Sequence, residues 1–224
     1  MSAPSANPGT RPGLPAIDAY PMPTAAELPL SRTSWQVDPA RAVLLVHDMQ
    51  NYFLRPFPRD AAPLTDLLAN INRLRAACRA AGVPVVFSAQ PGGQSEDQRG
   101  LQLDMWGRGI GADPADAAIV DELAPSGAEI TMTKWRYNAF HRTDLADIMA
   151  AQGRDQLVIT GIYAHIGCMV TAAEAFCRDV RAFLVADAVA DFSRADHDMA
   201  LRYAANRCAV VAATDSVLCW LDAR

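Results

Sequence analysis

The chain has 224 residues, 51% of them hydrophobic, enough for one sizeable core and too few for two ordinary domains with separate cores. A formal net charge of −5 repels nucleic acid and anionic membrane surfaces, so neither is expected as a partner. The five cysteines, Cys78, Cys168, Cys177, Cys208 and Cys219, form no C-x-x-C pair, and there is neither a secretory leader nor an apolar run of ~18 residues, so a soluble, cytoplasmic protein with reduced thiols is expected.

Residues 1–38 carry Pro4, Pro8, Pro12, Pro15, Pro21, Pro23 and Pro29, and a segment so interrupted sustains neither helix nor ladder hydrogen bonds. It reads as a partly disordered tip followed by an arm lying on a single domain of residues 39–224. From Ala42 onward, short β-branched runs alternate with segments of helical period, as in repeated βα units. Strands are predicted over 42–47, 83–89, 130–133, 157–160, 182–186 and 209–213. Between the first two, Leu64, Leu67, Leu68, Ile71, Leu74 and Cys78 recur at spacings of three and four, and Gly82 follows as a helix stop. Further helices are predicted over 115–123, 144–151 (closed by Gly153), 168–179 and 195–206. The expected fold is α/β, a three-layer Rossmann-like arrangement with a mostly parallel six-stranded sheet flanked by helices.

In open parallel sheets, ligands sit beyond the carboxyl ends of the strands. Here the first apolar run stops at Asp48, the second at Gln90 and the third at Lys134, while the fourth runs into the loop 161–167 that starts a helix. An Asp or Lys at a strand end is commonly only a turn residue or a solvated charge. Their joint occurrence points further, because ionisable groups clustered in a cleft cost stability unless they are used.

The strings AVLLVHDMQNYF (42–53), VVFSAQPGGQ (85–94), TKWRYNAFHRTDL (133–145) and GIYAHIGCMVTAAEAF (161–176) resemble the isochorismatase family. The resemblance continues through VADAVADFSRADHDMAL (185–201) and back into the arm at AYPMPTAAELP (19–29). It implies a hydrolase within the wider cysteine-hydrolase superfamily. Relatives such as nicotinamidases place a nucleophilic Cys at the position occupied here by Gly167, so no thioester intermediate is expected, while Asp48 and Lys134 match the isochorismatase pattern. Where nicotinamidases carry an Asp-x-His metal cluster, this chain reads Gln90, Pro91, Gly92, so neither a metal nor another cofactor is expected. The neighbouring Cys168 would point about 100° away from Gly167 on a helix and into the packing behind it. Strand alternation is expected to turn His47 to the face opposite Asp48. His47 and His165 then read as packing or hydrogen-bonding residues.

The implied substrate is a dianion, isochorismate, whose enolpyruvyl ether breaks when its methylene carbon is protonated. Asp48 is the candidate acid, and Lys134 is expected to hold mainly a substrate carboxylate and only secondarily to orient Asp48. Arg99 supplies a second positive charge, Gln90 and Tyr163 donate neutral hydrogen bonds, and backbone N–H groups near Gly167 add a helix N-terminus. Gly167 is expected to leave room for the enolpyruvyl group. Phe53, Trp106 and Tyr137 are expected to wall the ring, with ordinary core packing as the alternative. Arg136 and Arg142 read as surface or structural, and Asp196, His197 and Asp198 as a solvated helix start. The same hydrolysis of 2-amino-2-deoxyisochorismate is the alternative activity. A non-catalytic role in a siderophore synthetase assembly is disfavoured because no carrier motif follows the last strand, and an amidohydrolase using Cys168 is disfavoured by geometry. The resemblance implies a homodimer.

Overall fold

The structure is a computed structural model that describes residues 14–222; the predicted disordered tip lies outside the described residues. After an arm with one turn of 3-10 helix at Ala25–Glu27 come β1 (Ala42–His47), α1 (Asn51–Leu54), α2 (Leu64–Ala80) and β2 (Val85–Ala89). Next are α3 (Glu96–Arg99), α4 (Gln102–Trp106), α5 (Pro114–Ala117), β3 (Ile130–Thr133) and α6 (Leu145–Ala151). The chain ends with β4 (Gln156–Ile162), α7 (Met169–Cys177), β5 (Arg181–Ala190), α8 (Arg194–Arg207), β6 (Ala209–Ala212) and α9 (Thr214–Asp222).

The six strands form one sheet in the order β3-β2-β1-β4-β5-β6, with every neighbouring pair parallel. Every residue of β1 is buried, because helices cover both faces. Alternation sends Leu44 and Val46 into a core shared with Leu67, Ile71 and Leu74 of α2 and Val217 of α9. Val43 and Leu45 enter the opposite core, with Leu145 of α6, Ala172 of α7 and Leu201 of α8. The chain winds outward from β1 through β2 to β3, then returns to place β4 on the other side of β1. The crevice at this reversal, beyond the ends of β1 and β4, is where such sheets bind ligands.

The predicted strands all form, with shifted edges. β2 starts at Val85 rather than Val83, since Pro84 has no N–H to give; its carbonyl instead accepts from Leu44. β5 runs on to Ala190 past Asp187, whose carboxylate caps Thr214 at the start of α9. The helix predicted over 115–123 is not formed. Only α5 and a 3-10 turn at Asp121–Leu123 appear, because Ile119 bridges antiparallel to Gln50 and the backbone around it bonds Met49 and Asn51. Local helical pattern yields there to pairing with the loop that follows β1. The predicted helix over 168–179 begins instead with a five-residue π-helix, Ala164–Cys168. α9 is not among the predicted helices, although Val217 and Leu221, four apart, carry its apolar face.

Arm residues 14–38 lie on the domain through specific bonds. Ile17 and Tyr20 donate backbone N–H groups to Pro56 and Ala62, and Val211 donates to the Ser31 hydroxyl. The Tyr20 ring is buried and its hydroxyl accepts from the Asp191 N–H at 2.7 Å.

Candidate active site

β1 is followed directly by Asp48, whose φ of 49° lies in the left-handed region that non-glycine residues rarely enter. That turn aims the carboxylate across the ends of β2 and β3. Asp48 Oδ1 accepts from the Ser88 hydroxyl at 2.6 Å, and Oδ2 accepts from Lys134 Nζ at 2.9 Å and from Gln90 Nε2 at 3.1 Å. Gln90 is itself fixed by Gln50, which donates to its carbonyl and accepts its N–H, both at 2.8 Å. Lys134 also donates to the Arg136 carbonyl at 2.5 Å. Asp48 is 4% exposed and Lys134 1%. Burial pushes the Asp48 carboxyl upward, but opposing interactions, the Lys134 ammonium the largest of them, hold the group below the usual carboxylate range. In the ligand-free site Asp48 is therefore a carboxylate paired with Lys134. The pairing expected to be secondary is direct: Lys134 Nζ sits on Oδ2, and among the described residues it forms an ion pair with no other carboxylate.

Arg99, on α3, is the second buried cation, 4% exposed. Its partners are neutral oxygens only: Gly107 O at 3.0 Å, Gln90 Oε1 at 3.3 Å and Gln102 Oε1 at 3.5 Å. Among the described residues no carboxylate pairs with it. The segment carrying α3 and α4 folds over the site like a cover. Arg136 pins it through the Gln98 carbonyl at 2.8 Å, and Trp106 donates to the Tyr137 hydroxyl at 2.5 Å. Arg142 lies over the Trp135 ring.

Beneath this cover is a pocket at the strand ends. Asp48, Lys134, Gln90, Arg99, Tyr163, Gly167, Phe53, Trp106 and Tyr137, the residues singled out in the sequence, all line it. So do His47, Tyr52, Gln102, Ile166, Phe192 and, from the arm, Leu14, which the sequence reading did not assign to it. Tyr52 could have been found beside Phe53 in the same motif. Phe192 likewise lies in the quoted string 185–201, whereas Leu14 carries no such signal, since its place depends on how the arm folds back.

Several expectations change on geometry. The Tyr163 hydroxyl donates to the Phe53 carbonyl at 2.6 Å, and burial pushes its pKa upward, so the group is engaged inside the protein; the ring packs 4.2 Å from that of Phe192. His47 does not face away from Asp48. The left-handed turn at Asp48 breaks the alternation, and the His47 ring lies beside the carboxylate, with Nδ1 3.9 Å from Oδ1. Gly167 does not open space for substrate at its α-carbon. A Cβ there would fall 2.7 Å from His47 Nε2 and closer still to Cε1, so the imidazole already fills that volume. Cys168 is fully buried in the core behind the site, and burial pushes its thiol well up, which leaves no thiolate to attack. His197 is not solvated either: it is buried and holds the Ala186 carbonyl at 2.9 Å, while Ser193 caps α8, accepting the Asp196 N–H at 3.1 Å and donating to the Asp196 carboxylate at 2.7 Å, and Asp198 pairs with Arg194.

A doubly wound parallel sheet with a buried carboxylate and lysine at its reversal point is an α/β arrangement suited to a small polar ligand. A family model described as Isochorismatase domain matches residues 42–216. The chain is 56% identical over 205 residues to Isochorismatase of Bacillus subtilis, covering 92% of this chain and 66% of that protein. It is 53% identical over 206 residues to Phenazine biosynthesis protein PhzD1 of Pseudomonas aeruginosa, covering 92% of this chain and 99% of that one. A cysteine hydrolase from Pseudomonas syringae has the same fold, with a TM-score of 0.77 at 24% identity over 87% of this chain and 97% of that chain. The chain belongs to the isochorismatase family.

Proposed function

We propose that this protein hydrolyses the vinyl ether of isochorismate, giving 2,3-dihydro-2,3-dihydroxybenzoate and pyruvate, with Asp48 as the acid that protonates the enolpyruvyl methylene. The observation that carries this reading is Arg99. A buried guanidinium among neutral oxygens, near the Asp48–Lys134 pair, leaves the pocket with one net positive charge beneath its cover. Such a charge is costly unless an anion comes to it. A dicarboxylate supplies one carboxylate to Arg99 and draws Lys134 with the other. As Lys134 turns to the substrate and a second anion arrives, the forces that hold the Asp48 carboxyl down weaken and burial raises it, so it takes up a proton.

Transfer of that proton to the methylene carbon forms a methyl group and an oxocarbenium ion. Water adds to the cationic carbon and returns its proton to the Asp48 carboxylate. The resulting hemiketal then collapses to pyruvate and the ring alcohol. Ser88, Gln90 and Lys134 fix the direction of the carboxyl group, which is the condition for efficient acid catalysis at carbon. Phe53, Trp106, Tyr137 and Phe192 enclose the ring. In this proposal residues 39–224 form the hydrolase domain and the arm completes its pocket. The family resemblance further supports a homodimer in a cytoplasm, without a cofactor.

The match to a phenazine biosynthesis protein along nearly its whole length favours a second reading, the same cleavage of 2-amino-2-deoxyisochorismate. Pyruvate release from each ether, followed under identical conditions with a coupled lactate dehydrogenase, tests both. Turnover of either ether is the expected result and the ratio assigns the substrate. Release from neither contradicts the proposal and returns the chain to a non-catalytic role.

A further inference from the structure

The His47 imidazole is 1% exposed and stands among the elements that bear the catalytic groups. Nδ1 lies 2.8 Å from the carbonyl of Ile162, at the end of β4 and just before Tyr163. Nε2 lies 3.2 Å from the carbonyl of Tyr137, in the loop that begins with Lys134. The next residue along the chain is Asp48. One ring thus spans the loop after β3, the end of β1 and the end of β4. Its surroundings are built from glycine on two sides. Gly161, paired with His47 in the sheet at φ 102°, would drive a Cβ into the His47 backbone, and Gly167 would drive one into the ring. Side chains at these positions would displace His47 from both directions.

A neutral imidazole has one N–H and one lone pair, yet two carbonyl oxygens face this ring. The shorter contact assigns the N–H to Nδ1, and the ring then meets Tyr137 O through Nε2 without a donated proton. Burial pulls this imidazole toward its neutral form, consistent with that assignment. The role left for the ring is geometric: it locks the end of β1 against β4 and so maintains the strained turn that presents Asp48.

We infer that His47 is a positioning residue for the acid Asp48, and that position 167 is glycine because the His47 ring stands where any side chain there would begin. The inference rests on the reading of Asp48 as the proton donor. Two independent readouts separate its parts. Thermal unfolding reads the steric pairing without any substrate: Gly167→Ala should lower Tm by about 5 °C through overpacking, and the double variant His47→Ala with Gly167→Ala should recover most of that loss. Pyruvate release reads positioning. His47→Leu should lower kcat about a hundredfold with KM changed less than about threefold, while His47→Asn, whose amide can still donate to Ile162 O, should keep about ten times the kcat of His47→Leu.

The double variant should regain stability but not kcat. An unchanged Tm in Gly167→Ala would overturn the steric pairing. A double variant with restored kcat, or a His47→Leu enzyme within about twofold of wild type, would overturn the positioning role and leave His47 a space filler. Should His47→Leu fail to fold, the Asn and double variants decide the matter by the same criteria. A wild-type protein that releases no pyruvate from either ether defeats the proposed function instead, and the Tm comparison still stands on its own.

Discussion

At the level of single residues, the site is a set of polar groups that end apolar strands and stay buried because each has a partner. Asp48, Gln90 and Lys134 could be found in the sequence for that reason: each breaks a hydrophobic run where a parallel sheet gathers its ligands. Their contacts could not, because 2.9 Å between Lys134 and Asp48 depends on sheet register rather than on residue type. His47 was misplaced because a period of two holds only while φ stays extended, and Asp48 leaves the extended region at the very next residue. Arg99 is a buried site cation that pairs with no carboxylate among the described residues, and its replacement gives a clear prediction. Arg99→Gln removes charge-assisted bonds to the substrate and should raise KM for the diacid by about tenfold or more while the fold is retained. Steady-state kinetics with a melting curve checks this, and an unchanged KM would remove Arg99 from the substrate-binding set.

At the level of elements, the π-helix and the end of β5 hold each other through one charged pair. His165 donates its backbone N–H to Asp191 Oδ2 at 2.6 Å, and its ring Nδ1 is 2.7 Å from Oδ1. The hydrogen bond to Asp191 raises the His165 pKa above 6.5, against the opposing effect of burial. The bond's contribution to stability is therefore complete below about pH 6.5, the unfolded value, and fades as pH rises through the higher folded pKa. His165→Gln should accordingly lower Tm by about 3 °C at pH 6 and by clearly less at pH 9. An equal loss at both values would show that the pair's charge contributes nothing. The sequence offered no sign of this pairing, since His165 and Asp191 lie 26 positions apart and meet only when β4 and β5 lie side by side. The segment 115–123 shows the opposite failure: its local pattern was helical, and pairing of Ile119 with Gln50 overrode it.

For the whole molecule, the order β3-β2-β1-β4-β5-β6 sets where the chemistry sits, because it brings the ends of β1 and β4 together at the point of reversal. The alternation of β-branched runs and helical segments was enough to give this architecture, while the path of the arm was beyond reach, since prolines say only what a segment cannot form. The arm closes the pocket with Leu14 and buries Ile17 and Tyr20. Removal of residues 1–22 should cost about 3 kcal/mol of stability, a drop in Tm of roughly 9 °C, and should raise KM as one wall is lost. Calorimetry of the shortened chain checks this, and an unchanged Tm would show the arm to be a passive covering. The central claim, that Asp48 gives its proton to carbon, is tested most directly by the kcat of Asp48→Asn for pyruvate release. The amide keeps the size of the carboxyl but has no acidic proton and leaves the buried Lys134 ammonium without its counter-charge, so kcat should fall about a thousandfold or more in a protein that still folds, with a lowered Tm. A folded Asp48→Asn protein that turns over within about tenfold of wild type would contradict it.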